Sequence, residues 1–142
     1  MTPHLLFVCT HNRCRSILCE AIVGQRAGAS LRVSSAGSAP AGEVFPATLE
    51  HLQRRGYDTT GLTSKSWDSF QDVHLDRVIT VCDSAAGETC PLWLGSVTRE
   101  HWPLTDPSKL TDPAEQAAAF DRVIDSIEAQ VATWILTAGF KP

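Results

Sequence analysis

Residues 5–16 read LLFVCTHNRCRS, in which an apolar run is followed by a polar loop and then by the start of a helix. The run Leu5–Val8 is typical of a strand that is buried on both faces of a parallel sheet. It stops at Cys9, and Ser16 is predicted to be the N-cap of a helix that continues to about Arg26. The pattern therefore predicts a strand, a tight loop and a helix, with a cysteine where the strand ends.

The rest of the chain continues this alternation of strands and helices. Apolar patterns predict further strands at Leu31–Ser34, Arg77–Val81 and Thr98–Trp102 and further helices at Phe45–Arg55 and Pro113–Leu136. Such alternation indicates an α/β fold, a four-stranded parallel sheet with helices on both faces. With no repeat or long linker in the sequence, residues 1–142 are expected to form a single domain.

The composition is that of an ordinary globular protein. The chain has 142 residues, of which 43% are hydrophobic, and a formal net charge of -4. This mildly acidic balance gives no reason to expect nucleic acid or an anionic membrane as a partner. No apolar run approaches the roughly 20 residues that span a bilayer, and the N-terminus lacks a signal-peptide pattern. We therefore expect a cytoplasmic protein. We also expect a monomer, because the sequence shows no obvious exposed apolar face.

The cysteines and the charges are distributed unevenly. An odd number of cysteines, five, without an export signal favours reactive thiols over a disulfide framework. No Asp or Glu occurs before Glu20, whereas Arg13 and Arg15 both precede it. The N-terminal segment is thus locally positive in an acidic protein.

Cys9, Arg15 and Ser16 have the spacing Cys-x5-Arg-Ser. A five-residue loop that returns to its own helix N-terminus directs successive backbone N–H groups at one tetrahedral oxyanion, and an arginine adds a bidentate donor. The same groups stabilise a cysteine thiolate, and the Ser16 hydroxyl would assist either the thiolate or the helix cap. The predicted oxyanion-binding residues, with Cys9 as nucleophile, are Thr10, His11, Asn12, Arg13, Cys14, Arg15 and Ser16.

Two less specific interpretations of this loop remain open. The cysteines would be small buried residues in an ordinary strand–turn–helix, and Arg13 would be a solvated surface residue.

Several motifs resemble those of a known family. The segment VCTHNRCRS, residues 8–16, resembles the phosphate-binding loop of low-molecular-weight protein tyrosine phosphatases, and more closely that of the thioredoxin-coupled arsenate reductases that share their fold. The matching positions further along are Ser34–Gly37, Thr63-Ser64, Val81-Cys82, Cys90-Pro91, His101-Trp102 and Asp106-Pro107. The resemblance implies that Arg15 clamps the oxyanion and that Asp106 is the general acid.

The residues after Asp106-Pro107 and the later cysteines favour the reductase. In the phosphatases aromatic residues follow the Asp-Pro pair, whereas here Ser108-Lys109 follows. The resemblance implies that Cys9 attacks arsenate, that Cys82 attacks Cys9 and releases arsenite, and that Cys90 takes over the disulfide from Cys82.

That last step requires a bend in the chain. If residues 82–90 were helical, the two Cα atoms would lie about 12 Å apart, and a disulfide needs less than roughly 7 Å. The alternative is that Cys82 is a buried residue at a strand end and Cys90 an incidental loop thiol.

The resemblance also bears on cofactors and partners. An external thiol reductant is implied, thioredoxin foremost, with glutathione/glutaredoxin and mycothiol systems left open. No metal site is expected, because the sequence has neither Cys-x2-Cys nor His-x3-His. Cys14 is expected to support the loop and Cys19 to be a packed thiol.

Two positions depart from the family pattern. His11 stands where relatives usually carry Gly. Some of the reductases bind potassium through an Asn, a Glu, a Ser and an acidic residue; Asn12, Glu20 and Ser35 match, but Lys65 stands at the acidic position. We therefore predict that no potassium is required.

Two other functions remain as alternatives. One is a low-molecular-weight phosphatase that acts on phosphotyrosine or small phosphomonoesters. The other is an oxyanion- or thiol-sensing module that stops at the Cys9 adduct.

Overall fold

The computed structural model describes residues 3–82 and 97–137, with side chains described to residue 133. Its strands are β1 (His4–Cys9), β2 (Arg32–Gly37), β3 (Arg77–Thr80) and β4 (Thr98–His101). Its α-helices are α1 (Arg15–Ala27), α2 (Pro46–Arg54) and α3 (Pro113–Thr137). Short 3-10 helices lie at Gly28–Ser30, Trp67–Phe70 and Pro107–Lys109.

The four strands form one parallel sheet in the order β2-β1-β3-β4. The register aligns Cys9 with Gly37 on one side of β1 and Val8 with Thr80 on the other. Because parallel strands all end at the same edge, the residues that follow β1, β2 and β3 meet there. The predicted four-stranded parallel sheet is confirmed.

The side chains of β1 alternate between two hydrophobic cores. Leu5 and Phe7 pack into the core that also contains α1, α2 and α3, where Phe120 is fully buried. Leu6 and Val8 pack on the opposite face, against the segment that carries the 3-10 helix Trp67–Phe70. In the described part of the chain, the α-helices therefore cover one face of the sheet and a 3-10 helix contributes to covering the other.

Most element boundaries lie within a residue or two of those predicted from the sequence, with two informative differences. Strand β2 extends to Gly37 because it pairs with β1 as far as Cys9. The prediction that Ser16 caps the first helix is wrong: α1 begins at Arg15, and no described side chain caps it. No helix among the described residues is long and apolar enough to cross a membrane.

Candidate active site

The Cys9 thiol lies at the carboxyl end of β1 and is only 4% exposed. The backbone N–H of Asn12 donates to its Sγ at 3.2 Å, and the Ser16 hydroxyl lies 2.9 Å from it. The Ser16 side chain therefore faces the thiol, and Ser16 lies within α1, whose N-cap residue is Cys14. Both groups are suited to donate hydrogen bonds to a thiolate.

The carbonyl groups of the loop after Cys9 are held from outside the loop. Those of Thr10, His11 and Arg13 each accept a hydrogen bond from the chain between β2 and α2. The backbone donors are Ala39 N, Ala41 N and Phe45 N, at 2.8, 2.9 and 2.9 Å. A peptide N–H points opposite to the carbonyl of the preceding residue. The N–H groups of His11, Asn12 and Cys14 therefore point inward, as an anion-binding nest requires.

Asn12 is fully buried and has a positive φ of 46°. Its side-chain amide donates to the hydroxyls of Ser16 at 2.8 Å and Ser35 at 3.0 Å, and its Oδ1 accepts the backbone N–H of Lys65 at 2.9 Å. Asparagine tolerates this left-handed conformation better than most residues. His11 does not have a positive φ, so a side chain is accommodated where relatives usually carry Gly.

The end of β2 approaches the loop so closely that only glycine fits at position 37. A Cβ on Gly37 would lie 2.6 Å from the Thr10 carbonyl oxygen and 3.0 Å from the Asn12 backbone nitrogen. Backbone atoms cannot swing away as a side chain does, so this glycine allows the loop to rest on the sheet.

Arg15, which is 6% exposed, is oriented by two carbonyl groups and a carboxylate. Its Nη1 donates to the carbonyl of Leu104 at 3.0 Å and lies 3.5 Å from that of Val81, while its Nη2 lies 3.4 Å from Asp106 Oδ2. The two residues predicted to clamp the oxyanion and to supply its proton are thus in direct contact.

The other oxygen of Asp106 is bound by Ser108, whose backbone N–H and hydroxyl donate to Oδ1 at 3.0 and 2.7 Å. Arg13 in turn donates from Nη2 to the Ser108 hydroxyl oxygen at 2.9 Å, and its guanidinium lies 5.2 Å from the centre of the Phe45 ring. Arg13 therefore connects the Cys9 loop to the Asp106 turn, which differs from the alternative of a solvated surface residue.

The remaining thiols differ in state. Cys9, Cys14 and Cys19 are free. Burial raises the pKa of Cys14 to about 12 and that of Cys19 well above its usual value, so both are neutral packed thiols. Cys82 lies two residues after the end of β3, the strand that pairs with β1. It is 1% exposed and disulfide-bonded. Cys90 and the bend predicted for residues 82–90 lie outside the described residues.

An ammonium group lies on Glu20, one of the residues that match the potassium site of some reductases. Lys65 Nζ donates to the Thr63 carbonyl at 2.9 Å and to Glu20 Oε1 at 3.4 Å. The Ser35 hydroxyl donates to the same Glu20 oxygen at 2.5 Å. Within the described ranges, no three His, Cys, Asp or Glu residues are grouped so that they would hold a metal ion.

A nucleophilic thiol in an inward-facing nest of N–H groups, with an arginine and a carboxylate beside it, is suited to covalent chemistry on a tetrahedral oxyanion. The family model for the low molecular weight phosphotyrosine protein phosphatases matches residues 4–140. The chain belongs to this phosphatase family. The resemblance inferred from its motifs is thereby confirmed.

Among the relatives of this phosphatase-family chain, the arsenate reductase of Bacillus subtilis is 36% identical over 124 residues, which are 87% of this chain and 88% of that protein. A solved structure of a thioredoxin-dependent arsenate reductase from Corynebacterium glutamicum is 30% identical with a TM-score of 0.68, and the match covers 96% of this chain and 61% of that one. This chain thus spans less than two thirds of the Corynebacterium chain's length. The arsenate reductase of Archaeoglobus fulgidus, 23% identical over 90% of this chain and 98% of that one, has the same fold with a TM-score of 0.74.

The structure brings Asp106, which the resemblance implied as general acid, into contact with Arg15 of the loop 9–16. Sequence reasoning missed Ser108 and Gly37. The Asp-x-Ser spacing of residues 106–108 is typical of a turn in which the carboxylate accepts the N–H two residues on, and a lone Gly at a strand end often marks a close backbone approach. The backbone carbonyl of Leu104, which orients Arg15, could not be predicted from the sequence, because every residue has such a group.

Proposed function

We propose that this chain is an arsenate reductase that converts arsenate to arsenite. The observation that carries the proposal concerns two cysteines at the ends of the neighbouring strands β1 and β3. Cys9 is a free thiol that accepts an N–H of the anion-binding loop, and Cys82 is in a disulfide. A phosphatase needs only the first thiol, whereas a two-electron reduction needs further thiols to receive the oxidation. The relatives described as arsenate reductases support the same activity.

In the first step, the Cys9 thiolate attacks arsenic while the anion is held by the loop N–H groups and by Arg15. One arsenic–oxygen bond breaks, and the oxygen leaves as water with a proton from Asp106. The product is a covalent Cys9–arsenate adduct. The anion takes up the guanidinium of Arg15, so its binding competes with the Arg15–Asp106 contact of 3.4 Å.

In the second step, the Cys82 thiolate attacks Cys9 Sγ. The sulfur–arsenic bond breaks and its electron pair leaves with arsenic, which departs as arsenite, while Cys9 and Cys82 form a disulfide. Cys90 then attacks Cys82 and restores the Cys9 thiolate. A disulfide at Cys82 together with a free Cys9 fits the state reached after this exchange.

An external dithiol must reduce the final disulfide, and we assign this role to a thioredoxin. Part of the support is the thioredoxin dependence stated for the Corynebacterium relative. Glutathione/glutaredoxin and mycothiol systems are the competing sources of thiol. A relay of this kind works where thiols are kept reduced, so we place the enzyme in the cytoplasm.

The test combines arsenate, thioredoxin, thioredoxin reductase and NADPH with four variants. Cys9→Ser, Cys82→Ser and Cys90→Ser are each expected to lower steady-state NADPH oxidation by on the order of 10³-fold or more, because each removes one link of a single relay. The matched control is Cys19→Ala, which removes a buried thiol outside the relay and is expected to retain turnover.

Three other results would contradict the proposal. Turnover that survives both Cys82→Ser and Cys90→Ser would exclude the relay. Hydrolysis of phosphotyrosine without arsenate-dependent NADPH oxidation would identify a phosphatase. A Cys9 adduct that forms without turnover would identify a sensing module.

A further inference from the structure

Arg13 and Ser108 are separated by 95 positions in the chain, yet their side chains are in direct contact at 2.9 Å. Arg13 belongs to the loop that holds the anion, and Ser108 belongs to the turn that carries Asp106. A second side-chain contact between the loop and this turn is Arg15–Asp106 at 3.4 Å, for which the substrate would compete. The Arg13–Ser108 contact uses no group that the anion needs to displace.

We propose that Arg13 and Ser108 are a positioning pair that holds Asp106 over the Cys9 loop while arsenate occupies Arg15. The pair acts through Asp106 and does not grip the anion. This inference rests on the proposed reductase function, because it assigns a role within the same reaction.

The geometry of Ser108 supports the proposal. Its hydroxyl has a single proton, which it gives to Asp106 Oδ1 at 2.7 Å, while its oxygen accepts from Arg13 Nη2. The guanidinium thus reaches Asp106 through one hydroxyl. The backbone N–H of Ser108 adds a second hydrogen bond to Oδ1, at 3.0 Å, and fixes the orientation of the carboxylate.

The geometry of Arg13 supports it as well. Its guanidinium is fixed both by Ser108 and by the face of Phe45, at 5.2 Å from the ring centre. Phe45 in turn donates its backbone N–H to the Arg13 carbonyl at 2.9 Å and lies parallel to Phe120 of the core, with ring centres 6.5 Å apart. Both the backbone and the guanidinium of Arg13 are therefore held in place, and its side chain connects the loop to the turn.

The contact itself is tested by urea unfolding of Arg13→Gln, Ser108→Ala and the double variant, a measurement that needs no activity. The double variant is expected to lose less stability than the sum of the two single variants, since both remove the same bond. Strictly additive losses would overturn the proposed pair. The matched control is Ser126→Ala, which removes a serine hydroxyl from the exposed side of α3. When it is combined with Arg13→Gln, the losses of unfolding free energy are expected to add.

The role is tested by steady-state arsenate reduction. Ser108→Ala and Arg13→Gln are each expected to lower kcat about tenfold with KM for arsenate changed less than about twofold, because a misplaced acid slows the chemical step. Ser108→Thr, which keeps the hydroxyl, is expected to restore most of kcat. A rise in KM with kcat retained would instead make Arg13 an anion-binding residue and overturn the proposal.

The decisive experiment repeats Ser108→Ala in an Asp106→Asn variant. If the pair acts through Asp106, Ser108→Ala causes no further loss of kcat once the carboxylate is gone; a further tenfold loss would show a general structural role. The two proposals fail separately. A wild-type protein without arsenate-dependent NADPH oxidation contradicts the proposed function, whereas additive unfolding energies contradict the positioning pair alone.

Discussion

At the scale of single residues, Asn12 links the Cys9 loop to three other parts of the chain. Its side-chain nitrogen donates to Ser16 in α1 and to Ser35 in β2, and its side-chain Oδ1 accepts the backbone N–H of Lys65. The Lys65 ammonium lies 3.4 Å from Glu20 Oε1, which also accepts the hydroxyl of Ser35. The charge of Lys65 is thus connected to Asn12 through Glu20 and Ser35.

The Lys65 ammonium leads to a prediction about salts. The wild-type kcat/KM and melting temperature are expected to be the same in KCl and in choline chloride at equal ionic strength, because a cation is already built into the chain. Lys65→Gln is expected to lose about 1 kcal/mol of unfolding free energy, since Glu20 keeps its charge and loses its partner. Part of that loss is expected to return in KCl, measured as melting temperature.

Lys109→Gln is the matched control, because Lys109 is exposed, whereas Lys65 is the lysine in contact with Glu20. It is expected to show no difference between the two salts. A wild-type enzyme that requires KCl for full activity would contradict the prediction.

At the scale of elements, the active site depends on where β1 and β2 end. The two strands finish in register at Cys9 and Gly37, and the loop then rests on the end of β2. The N-terminus of α1, which no described side chain caps, begins at the same place. Strand pairing, more than any property of the loop alone, therefore sets the position of the thiol.

The close approach at Gly37 predicts that alanine is destabilising at this position but not at Gly24. Gly37→Ala is expected to lower unfolding free energy by roughly 2–3 kcal/mol and kcat/KM by at least about tenfold, because its methyl group meets backbone atoms that must move. Gly24→Ala in α1 is the matched control. Its Cβ would lie 3.6 Å from Val33 Cβ, an ordinary contact, and alanine in a helix is expected to add about 0.5–1 kcal/mol.

Urea unfolding and arsenate kinetics measure both effects. Wild-type kinetics in Gly37→Ala would show that the loop adapts and that the close approach has no role in catalysis.

The sequence was sufficient for the three α-helices and the four strands of the described residues, but it did not predict the short 3-10 helices, such as the one at Pro107–Lys109. It was also sufficient for Cys9 and Arg15, because a contiguous loop carries its geometry in its own spacing. The cap assigned to Ser16 was wrong because α1 already begins at Arg15, so that Ser16 lies inside the helix and its hydroxyl contacts the Cys9 thiol. Ser108 was missed because its partner Arg13 is distant in the chain, and spacing alone does not predict such contacts.

At the scale of the whole molecule, two buried histidines connect folding to pH. His4 is 5% exposed; its Nε2 contacts the Ser34 hydroxyl at 2.8 Å, and no described residue bonds its Nδ1. His51 stacks on Phe120 with ring centres 4.4 Å apart. Burial is the main cause that lowers the pKa of both histidines below the usual 6.5, followed by the charges of Arg32 and Arg54 respectively.

Stability is therefore expected to decrease as the pH falls from 7 to 5. Above pH 6.5 these histidines are neutral in both states; below it the unfolded chain binds protons more readily than the folded one. The slope from each histidine is at most about 1.4 kcal/mol per pH unit. Urea unfolding at several pH values measures it, and His4→Gln is expected to reduce the slope, whereas His101→Gln, at an exposed site, is expected to leave it unchanged.

A stability that is constant or rises from pH 7 to 5 would contradict this expectation. The lowered pKa of Asp76, caused first by the backbone N–H of His4, acts in a different range, because its contribution is lost only as the pH falls below about 4.

The carbonyl groups of the Cys9 loop are bonded from outside, so the loop has its shape before any anion arrives. Little ordering entropy is then lost on binding, and the loop recognises tetrahedral shape and negative charge. Phosphate shares both properties with arsenate. Where phosphate is abundant, it would therefore compete with arsenate for the same loop, and discrimination would occur after binding, because only arsenic accepts the electron pair of the sulfur bond. Detoxification would then respond to the ratio of the two anions, and a cell short of phosphate would clear the same dose of arsenate faster.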